Sequence, residues 1–209
     1  MTDKLQFYFS FRSPYSWLAL YRINLIQKEL PVDIQMIPVF PAKDKEDVML
    51  SDQNKVKYIV KDINRVSSAY GLSIKWPKPF DTDWLAVHIA FIYAQEQGKG
   101  LPFCLALYNA RFLEGKDIGD EQILRDVAAV SGLEADALID AQSKQEYKRT
   151  LLQGLAGAKE DGVFGVPYFV YKDSAFWGND RLEWLIREIS SDSEQVIPDL
   201  SSDPFKRPF

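Results

Sequence analysis

Residues 5–17 decide the fold, and they read LQFYFSFRSPYSW. Large apolar side chains stand at every odd position from 5 to 9, and this period of two predicts a β-strand. Ser13 followed by Pro14 then predicts a helix start, because serine is a favoured N-cap residue and proline is tolerated at the first helical position. The stretch therefore predicts a strand that leads directly into a helix.

The residues that follow predict a second strand parallel to the first. Apolar residues at helical spacing predict that the helix runs to about Glu29, and Pro31 closes it. The run from Val32 to Pro38 is apolar enough to form a second strand. The connection between the two strands is long enough for a right-handed parallel crossover.

The middle of the chain has a helical pattern throughout, interrupted by glycines. Helices are predicted near residues 53–70, 81–97, 102–113, 120–131, 134–142 and 144–159, with breaks at Gly71, Gly98, Gly100, Gly115, Gly132 and Gly162. This block is predicted to be entirely helical.

Strand signals return near the end of the chain. Residues 166–171 predict one strand and residues 175–177 a short second one, with a turn between them. A helix is predicted to open at residues 178–180, and the tail after Ser190 is predicted to be extended or poorly ordered because it is rich in Ser, Asp and Pro.

A strand–helix–strand half and a strand–strand–helix half thus flank a helical block. The sequence therefore predicts an α/β protein of thioredoxin-like fold with an inserted all-helical domain. Residues 1–41 and 160–209 are predicted to form the discontinuous thioredoxin-like domain, and residues 42–159 the insertion.

Composition excludes several classes of function. The net charge is −5 and Lys and Arg are scattered, which argues against a nucleic-acid partner. A single cysteine, Cys104, permits no intrachain disulfide and no cysteine-based metal cluster. We see no secretory signal and no apolar run approaching the roughly 20 residues of a membrane helix. The expectation is a soluble, cytoplasmic protein with no membrane partner.

The first candidate site is the pair Ser13 and Ser16 at the predicted start of the first helix. In thioredoxin-like redox proteins a Cys-x-x-Cys pair lies there, and the helix dipole stabilises a thiolate. Two serines cannot cycle between dithiol and disulfide. The Ser13 hydroxyl and the free N–H groups of the helix can still stabilise a thiolate brought from outside. The alternative is that Ser13 is only a helix cap.

The second candidate site is Val166-Pro167. In a thioredoxin-like fold this is the place for a cis-proline that faces the start of the first helix. A cis bond there exposes the Val166 backbone, and an extended peptide such as glutathione can pair with it as an added strand. The alternative is an ordinary proline on an edge strand.

The third candidate site is Asn179-Asp180, where a helix is predicted to begin. Free N–H groups at a helix start bind a carboxylate, while Asp180 can hold an ammonium group. The γ-glutamyl end of glutathione presents both groups. The alternative is again simple capping.

Together these motifs resemble one known family. Residues 7–9 (FYF) and 13–18 (SPYSWL) are similar to the opening of the 2-hydroxychromene-2-carboxylate isomerases and kappa-class glutathione transferases, and residues 162–167 (GVFGVP) and 176–182 (FWGNDRL) to their closing motif. Order and spacing match across nearly the whole chain. The resemblance implies a DsbA-like thioredoxin fold, glutathione as the cofactor, and a homodimer.

The resemblance also implies a role for individual residues. Ser13 is the residue implied to act on the glutathione sulfur. The residues implied to bind glutathione are Val166, Pro167, Trp177, Gly178, Asn179, Asp180 and Asn54. Lys55 is implied to lie near the substrate, and Lys45 and Trp84 are further candidates for contacting it.

The function implied first is that of a glutathione-dependent isomerase. A glutathione thiolate would add to a conjugated carbonyl compound, the adduct would isomerise, and glutathione would leave. A second hypothesis is a kappa-class-like transferase or peroxidase acting on a small electrophile. A third is a non-catalytic thioredoxin-like module that binds peptides.

One segment departs from the isomerase pattern. The isomerases carry an Arg-Arg stretch that helps to hold the carboxylate of the substrate, whereas residues 79–84 read PFDTDW and are acidic. This departure motivates the transferase hypothesis, because an aromatic carboxylate would meet Asp81 and Asp83. Lys43 or Lys45 is an alternative source of positive charge.

The remaining candidates are predicted to be structural. His88, the only histidine, lies among apolar residues of a predicted helix, and without a second ligand beside it a metal site is not expected. Cys104 is predicted to be a small buried residue. Tyr58, Asp62 and Arg65 share one helix face, which predicts an Asp62–Arg65 ion pair.

Overall fold

The strands and helices follow the predicted order in the computed structural model, which describes residues 2–40 and 52–193. The strands are β1 (Asp3–Phe9), β2 (Val32–Pro38), β3 (Tyr168–Tyr171) and β4 (Ser174–Trp177). The helices are α1 (Pro14–Ile26), α2 (Gln53–Ala69), α3 (Trp84–Glu96), α4 (Gly100–Phe112), α5 (Glu121–Val130), α6 (Ala135–Ala141), α7 (Gln145–Glu160) and α8 (Leu182–Ser193), with a 3₁₀ turn at Asn179–Arg181.

The four strands form one mixed sheet in the order β2-β1-β3-β4. Strand β1 pairs in parallel with β2 and antiparallel with β3, and β4 closes the sheet by an antiparallel hairpin. Leu5 lies opposite Ile34 on one side and Tyr171 on the other. The end of β1, which leads into Ser13, is therefore next to the beginning of β3, which follows Pro167.

Each face of the sheet is covered by helix. Phe7 stacks on Phe169 with 4.9 Å between ring centroids, and both belong to the large core that also contains the buried faces of α1 and α8. On the opposite face, Tyr8 and Tyr168 pack against Ala158 of α7. The alternation along β1 that predicted the strand thus separates these two layers.

All six predicted helices of the middle block are present, with ends shifted by up to three residues. Helix α3 begins at Trp84 instead of residue 81, because the Asp83 side chain caps it by accepting from the Leu85 and Ala86 N–H groups. The predicted break at Gly100 is wrong, since Gly100 begins α4 and Pro102 lies in its first turn.

Two further ends differ from the prediction. Helix α1 ends at Ile26 and not near Glu29, with Gln27 as its C-cap residue. Helix α8 continues to Ser193, three residues into the segment predicted to be irregular, because Ile189 and Ser190 are buried against the core. Residues 194–209 lie outside the described part of the chain.

The proposed division into a thioredoxin-like domain and an insertion stays a prediction. Helix α7 belongs to the predicted insertion, yet it covers one face of the sheet, and the Tyr8 hydroxyl donates to Asp161 just beyond it at 2.5 Å. Among the described residues, none of the helices combines the length and apolar character that a bilayer span requires.

The Phe7–Phe169 stack provides a test of the core. Phe169→Ala should lower the free energy of unfolding by about 3–5 kcal/mol, because it removes a fully buried ring and leaves a cavity. The matched control Phe164→Ala removes a ring that is 71% exposed and should change it by less than about 1 kcal/mol. Urea unfolding of the two variants measures both values, and equal losses would contradict this packing.

Candidate active site

Ser13 caps helix α1. Its backbone is extended, with φ −89° and ψ 113°, and its Oγ accepts a hydrogen bond from the Ser16 N–H at 3.2 Å. Pro14 follows at the helix start and has no N–H group. Within the first turn, Pro14 has no N–H and the Ser16 N–H is bound by the cap. The Tyr15 N–H lies between them, and the first turn of a helix provides no backbone acceptor for it.

The Ser13 hydroxyl also reaches the segment before β3. Its Oγ donates to the Val166 carbonyl oxygen over 3.4 Å, across a sequence separation of 153 residues. The Val166–Pro167 peptide bond is cis, as the sequence predicted. Because the pairing of β3 with β1 begins at Tyr168, the Val166 backbone lies outside that ladder. The first two candidate sites are thus parts of one corner.

The third candidate site joins this corner through the backbone. The Gly178 N–H donates to the Pro167 carbonyl at 3.0 Å. Gly178 has a φ of +112°, a conformation that favours glycine. The Trp177 indole lies against Gly165, where an added Cβ would stand 2.8 Å from the indole Nε1. Trp177 and Gly178 therefore pack on the loop that carries Val166.

Asn179 is buried, and its side chain does not cap the helix. Gly178 occupies the N-cap position of the 3₁₀ turn, and as a glycine it has no side chain to make a capping bond. The Asn179 backbone carbonyl accepts from Arg22 Nη1 of α1 at 2.7 Å, whereas its side-chain Oδ1 is buried without a hydrogen-bond partner among the described residues. A buried acceptor left unpaired costs about 1–3 kcal/mol. Asn179 Oδ1 could therefore accept a hydrogen bond from an N–H group of a bound molecule.

A second polar connection ties the start of α1 to α2. The Tyr15 hydroxyl donates to Asp62 at 2.8 Å, and Arg65 pairs with Asp62 at 2.6 Å, which confirms the predicted ion pair. Burial and then the Asp62 hydrogen bond raise the pKa of Tyr15, with smaller contributions from Tyr58 and Asp180. Asp180 is therefore close enough to Tyr15 to act on it electrostatically. The sequence gives no sign of the Tyr15–Asp62 bond.

Asp180 itself is exposed and paired. Its Oδ2 accepts from Arg181 Nη2 at 2.7 Å. A surface pair of this kind is weak and exchanges readily with other partners. Asp180 therefore keeps its capacity to accept from a ligand ammonium group.

The acidic segment does not give the site a negative face. Asp81 pairs with Arg12 at 3.1 Å, directly before Ser13, and accepts from the Trp84 indole N–H at 3.3 Å. The Asp83 carboxylate caps α3 by accepting from two of its backbone N–H groups. Sequence reasoning missed Arg12, although it lies inside the first motif, because its partner is 69 residues away.

Arg111 is a second cation that the sequence analysis missed. It is fully buried in α4, with its guanidinium 4.7 Å from the Trp84 ring centroid and 5.3 Å from that of Phe80. Its Nη2 donates to the Phe80 carbonyl at 2.8 Å. Burial lowers the pKa of Arg111 to about 10, so it stays charged at neutral pH. The sequence feature that could have indicated this buried cation is an arginine in a largely apolar helix.

The other residues predicted to lie near a ligand make no described contact with the Ser13–Val166 corner. Asn54 and Lys55 are exposed in the first turn of α2, where Asp52 caps both of their N–H groups. Lys55 stands two turns before Asp62, on the same helix face. Lys43 and Lys45 lie outside the described residues.

His88 is buried beneath the first motif, as a packing residue would be. Its Nδ1 lies 2.6 Å from the Trp84 carbonyl oxygen, and its Nε2 accepts from the Phe11 N–H at 3.5 Å. Burial lowers its pKa from 6.5 to about 4; the Trp84 hydrogen bond opposes this shift and the charge of Arg111 adds to it. The imidazole is therefore neutral at physiological pH.

Cys104 is buried as predicted, and burial raises the pKa of its thiol well above the usual value. Within residues 2–40 and 52–193, no cluster of three or more His, Cys, Asp or Glu side chains is arranged to hold a metal ion.

Comparison with known proteins places the chain in a family. The DSBA-like thioredoxin domain matches residues 4–190. The chain belongs to this family. It has the DsbA-like thioredoxin fold, with a mixed four-stranded sheet and the helical block between its two halves.

Within this family, the chain is similar to proteins of known name. A 2-hydroxychromene-2-carboxylate isomerase of Sphingobium xenophagum is 30% identical over 200 residues, covering 88% of this chain and 97% of the relative. A glutathione S-transferase kappa 2 of Caenorhabditis elegans is 24% identical, covering 98% and 94%. The solved structure of a 2-hydroxychromene-2-carboxylate isomerase superposes with a TM-score of 0.79 at 24% identity, covering 91% and 98%. These names indicate an enzyme of the isomerase and glutathione transferase group.

The buried imidazole predicts an acid-sensitive fold. Because the unfolded chain protonates His88 near pH 6.5 and the folded chain only near pH 4, lowering the pH through this window favours the unfolded state. The free energy of unfolding should fall by on the order of 3 kcal/mol from this residue alone. Urea unfolding at several pH values, compared with His88→Gln, measures the difference. Parallel losses in both proteins would contradict the assignment.

Proposed function

We propose that this protein is a glutathione-dependent isomerase that acts on an aromatic or conjugated carbonyl compound, with Ser13 activating the glutathione thiolate. The observation that carries the proposal is the position of the Ser13 hydroxyl, at the start of α1 and 3.4 Å from the Val166 carbonyl. The isomerase relatives, matched over most of their length, support the reaction class.

The residues at the corner fit a γ-glutamyl peptide. The Val166 backbone, which lies outside the β-ladder, is available to pair with an extended peptide. The unpaired Oδ1 of Asn179 fits an N–H donor, and Asp180 fits an ammonium group. The residues we assign to glutathione are Val166, Pro167, Trp177, Gly178, Asn179, Asp180 and Asn54.

When bound, glutathione would supply a thiolate nucleophile, which neither serine of the motif can provide. Ser13 would then donate its hydroxyl hydrogen to the sulfur in place of the Val166 carbonyl, and the dipole of α1 would add a favourable potential. Each contribution is about 1 kcal/mol, enough to lower a thiol pKa by about one unit. The charge of Arg12 adds less, because Asp81 neutralises it.

The substrate would lie on the side of the insertion. We assign Trp84, Lys55 and Lys45 to it, of which Lys45 is outside the described residues. The nearby charge of Arg111 supports a negatively charged substrate at this position, and the pairing of Asp81 with Arg12 leaves less negative charge there to oppose it. The acidic segment is therefore compatible with a carboxylate, although it lacks the Arg-Arg stretch of the isomerases.

A kappa-class-like transferase or peroxidase is the second candidate, and the similarity to the kappa 2 transferase favours it. Incubation of the protein with glutathione and one conjugated electrophile separates the two reactions. An isomerase returns the isomer without consuming glutathione, whereas a transferase accumulates the conjugate. Accumulated conjugate without isomer would overturn the isomerase proposal.

A non-catalytic peptide-binding module is the third candidate, because both cysteines of the redox motif are replaced. Calorimetry with glutathione decides against it if binding is stoichiometric and turnover follows. A homodimer in the cytoplasm stays a prediction. Light scattering at several protein concentrations tests the dimer.

Ser13→Ala tests the thiolate. We expect turnover to fall at least tenfold and the pKa of the bound thiol to rise by about one unit, since the hydroxyl donor is lost. Loss of the cap should also lower the free energy of unfolding by about 1 kcal/mol. Absorbance of the thiolate as a function of pH measures the thiol pKa.

The matched control for that variant is Asp120→Ala. Asp120 caps α5 by accepting from the Gln122 and Ile123 N–H groups, so this change removes a cap away from the site. It should cost a similar stability and leave turnover unchanged. If Ser13→Ala keeps full activity, Ser13 has no part in the mechanism.

Asn179→Ala separates binding from structure. If Asn179 holds glutathione through its Oδ1, the truncated variant should bind glutathione about tenfold more weakly, whereas removal of an unpaired buried acceptor should not lower the free energy of unfolding. Calorimetry and urea unfolding measure the two effects. A large loss of stability with unchanged affinity would show that Asn179 is structural.

A further inference from the structure

Two buried side chains of the insertion hold the loop between β1 and α1. The Tyr108 hydroxyl of α4 donates to the Ser10 carbonyl at 2.7 Å, and the Phe11 N–H donates to His88 Nε2 of α3 at 3.5 Å. Both side chains are fully buried. The loop that presents Ser13 is thus held from below chiefly by the Tyr108 hydroxyl, with a longer contact from His88.

The tautomer of His88 follows from its second contact. A carbonyl oxygen can only accept, so the 2.6 Å contact with the Trp84 oxygen places the hydrogen on Nδ1. Nε2 is then an acceptor, and it faces the Phe11 N–H as the hydrogen bond requires. Arg111 is the charged group that acts on this ring, and it reinforces the neutral form.

The Tyr108 contact reaches Ser13 through a single shared atom. The Ser10 carbonyl accepts from the Tyr108 hydroxyl and also from the Ser13 N–H at 2.9 Å. Any shift of Ser10 therefore moves the backbone of Ser13. The Ser13 hydroxyl meets Val166 over 3.4 Å, at the long end of hydrogen-bond distances, so a small displacement breaks the contact.

We propose that Tyr108 and His88 are positioning residues that set the orientation of the Ser13 hydroxyl toward a bound thiolate. This inference rests on the proposed function. A misplacement of about 1 Å at a reacting group lowers rates by up to about a hundredfold, whereas binding energy spread over a peptide is much less sensitive. The two residues should therefore affect turnover and thiol pKa more than glutathione affinity.

Tyr108→Phe is the decisive variant, because it removes one hydroxyl and keeps the packing of the ring. We expect the dissociation constant for glutathione to stay within about twofold, the pKa of the bound thiol to rise, and kcat to fall about tenfold. Tyr147→Phe is the matched control, since it removes a tyrosine hydroxyl that interacts with Glu96. That control should keep the wild-type thiol pKa and kcat.

A pair of substitutions tests the imidazole in the same way. His88→Leu removes the acceptor for the Phe11 N–H, whereas the amide oxygen of His88→Gln can replace it. The glutamine variant should therefore recover part of the thiol pKa shift and of kcat that the leucine variant loses. A purely structural role would change stability in both and leave the thiol pKa of bound glutathione as in the wild type.

The outcomes separate this inference from the proposed function. If the wild-type protein binds glutathione and lowers its thiol pKa, but Tyr108→Phe and Tyr147→Phe behave alike, the positioning role is overturned and the proposed function stands. If the wild-type protein does not bind glutathione, both are overturned. A raised thiol pKa in Tyr108→Phe with near-normal affinity supports the positioning role.

Discussion

The contact between the Ser13 hydroxyl and the Val166 carbonyl is the constraint on which the candidate site depends. One hydroxyl group caps α1 through the Ser16 amide and at the same time closes the gap to the segment before β3. The contact exists because β1 lies between β2 and β3, so the end of β1 and the beginning of β3 meet at one edge of the sheet. Sheet topology thus brings together two weak local motifs.

Polar groups around this corner are paired between elements that are distant in sequence. Tyr15 joins α1 to α2 through Asp62, and Arg22 joins α1 to the Asn179 carbonyl. Paired groups of this kind fix the geometry of a site before a ligand arrives. Two buried atoms depart from this pattern, since Asn179 Oδ1 and Ser16 Oγ have no hydrogen-bond partner in the described part of the chain. For Asn179, that departure is what a binding role of its side chain requires.

The helical insertion contributes to the site from beneath. Helices α3 and α4 supply His88, Tyr108 and Arg111, three buried polar side chains in an otherwise apolar layer. Tyr108 and Arg111 Nη2 donate to the loop carbonyls of Ser10 and Phe80, and His88 Nε2 accepts from the loop amide of Phe11. A buried polar group costs stability unless it is paired, so these contacts specify one arrangement of the loops and disfavour others. The insertion therefore positions the corner as well as covering the core.

The sequence by itself determined the order of strands and helices, the cap at Ser13 and the Asp62–Arg65 pair. These three features follow from local periodicity, from N-cap chemistry, and from positions three residues apart on one helix. The cis bond before Pro167 was predicted from its place in the thioredoxin-like fold, with an ordinary edge-strand proline as the alternative. Only the tertiary structure decided that Arg12 neutralises Asp81, that Tyr15 bonds to Asp62, and that Tyr108 holds the Ser10 carbonyl. Each of these contacts joins residues 47 to 98 positions apart. Such pairs arise from the packing of helices on the sheet, and no local pattern encodes them.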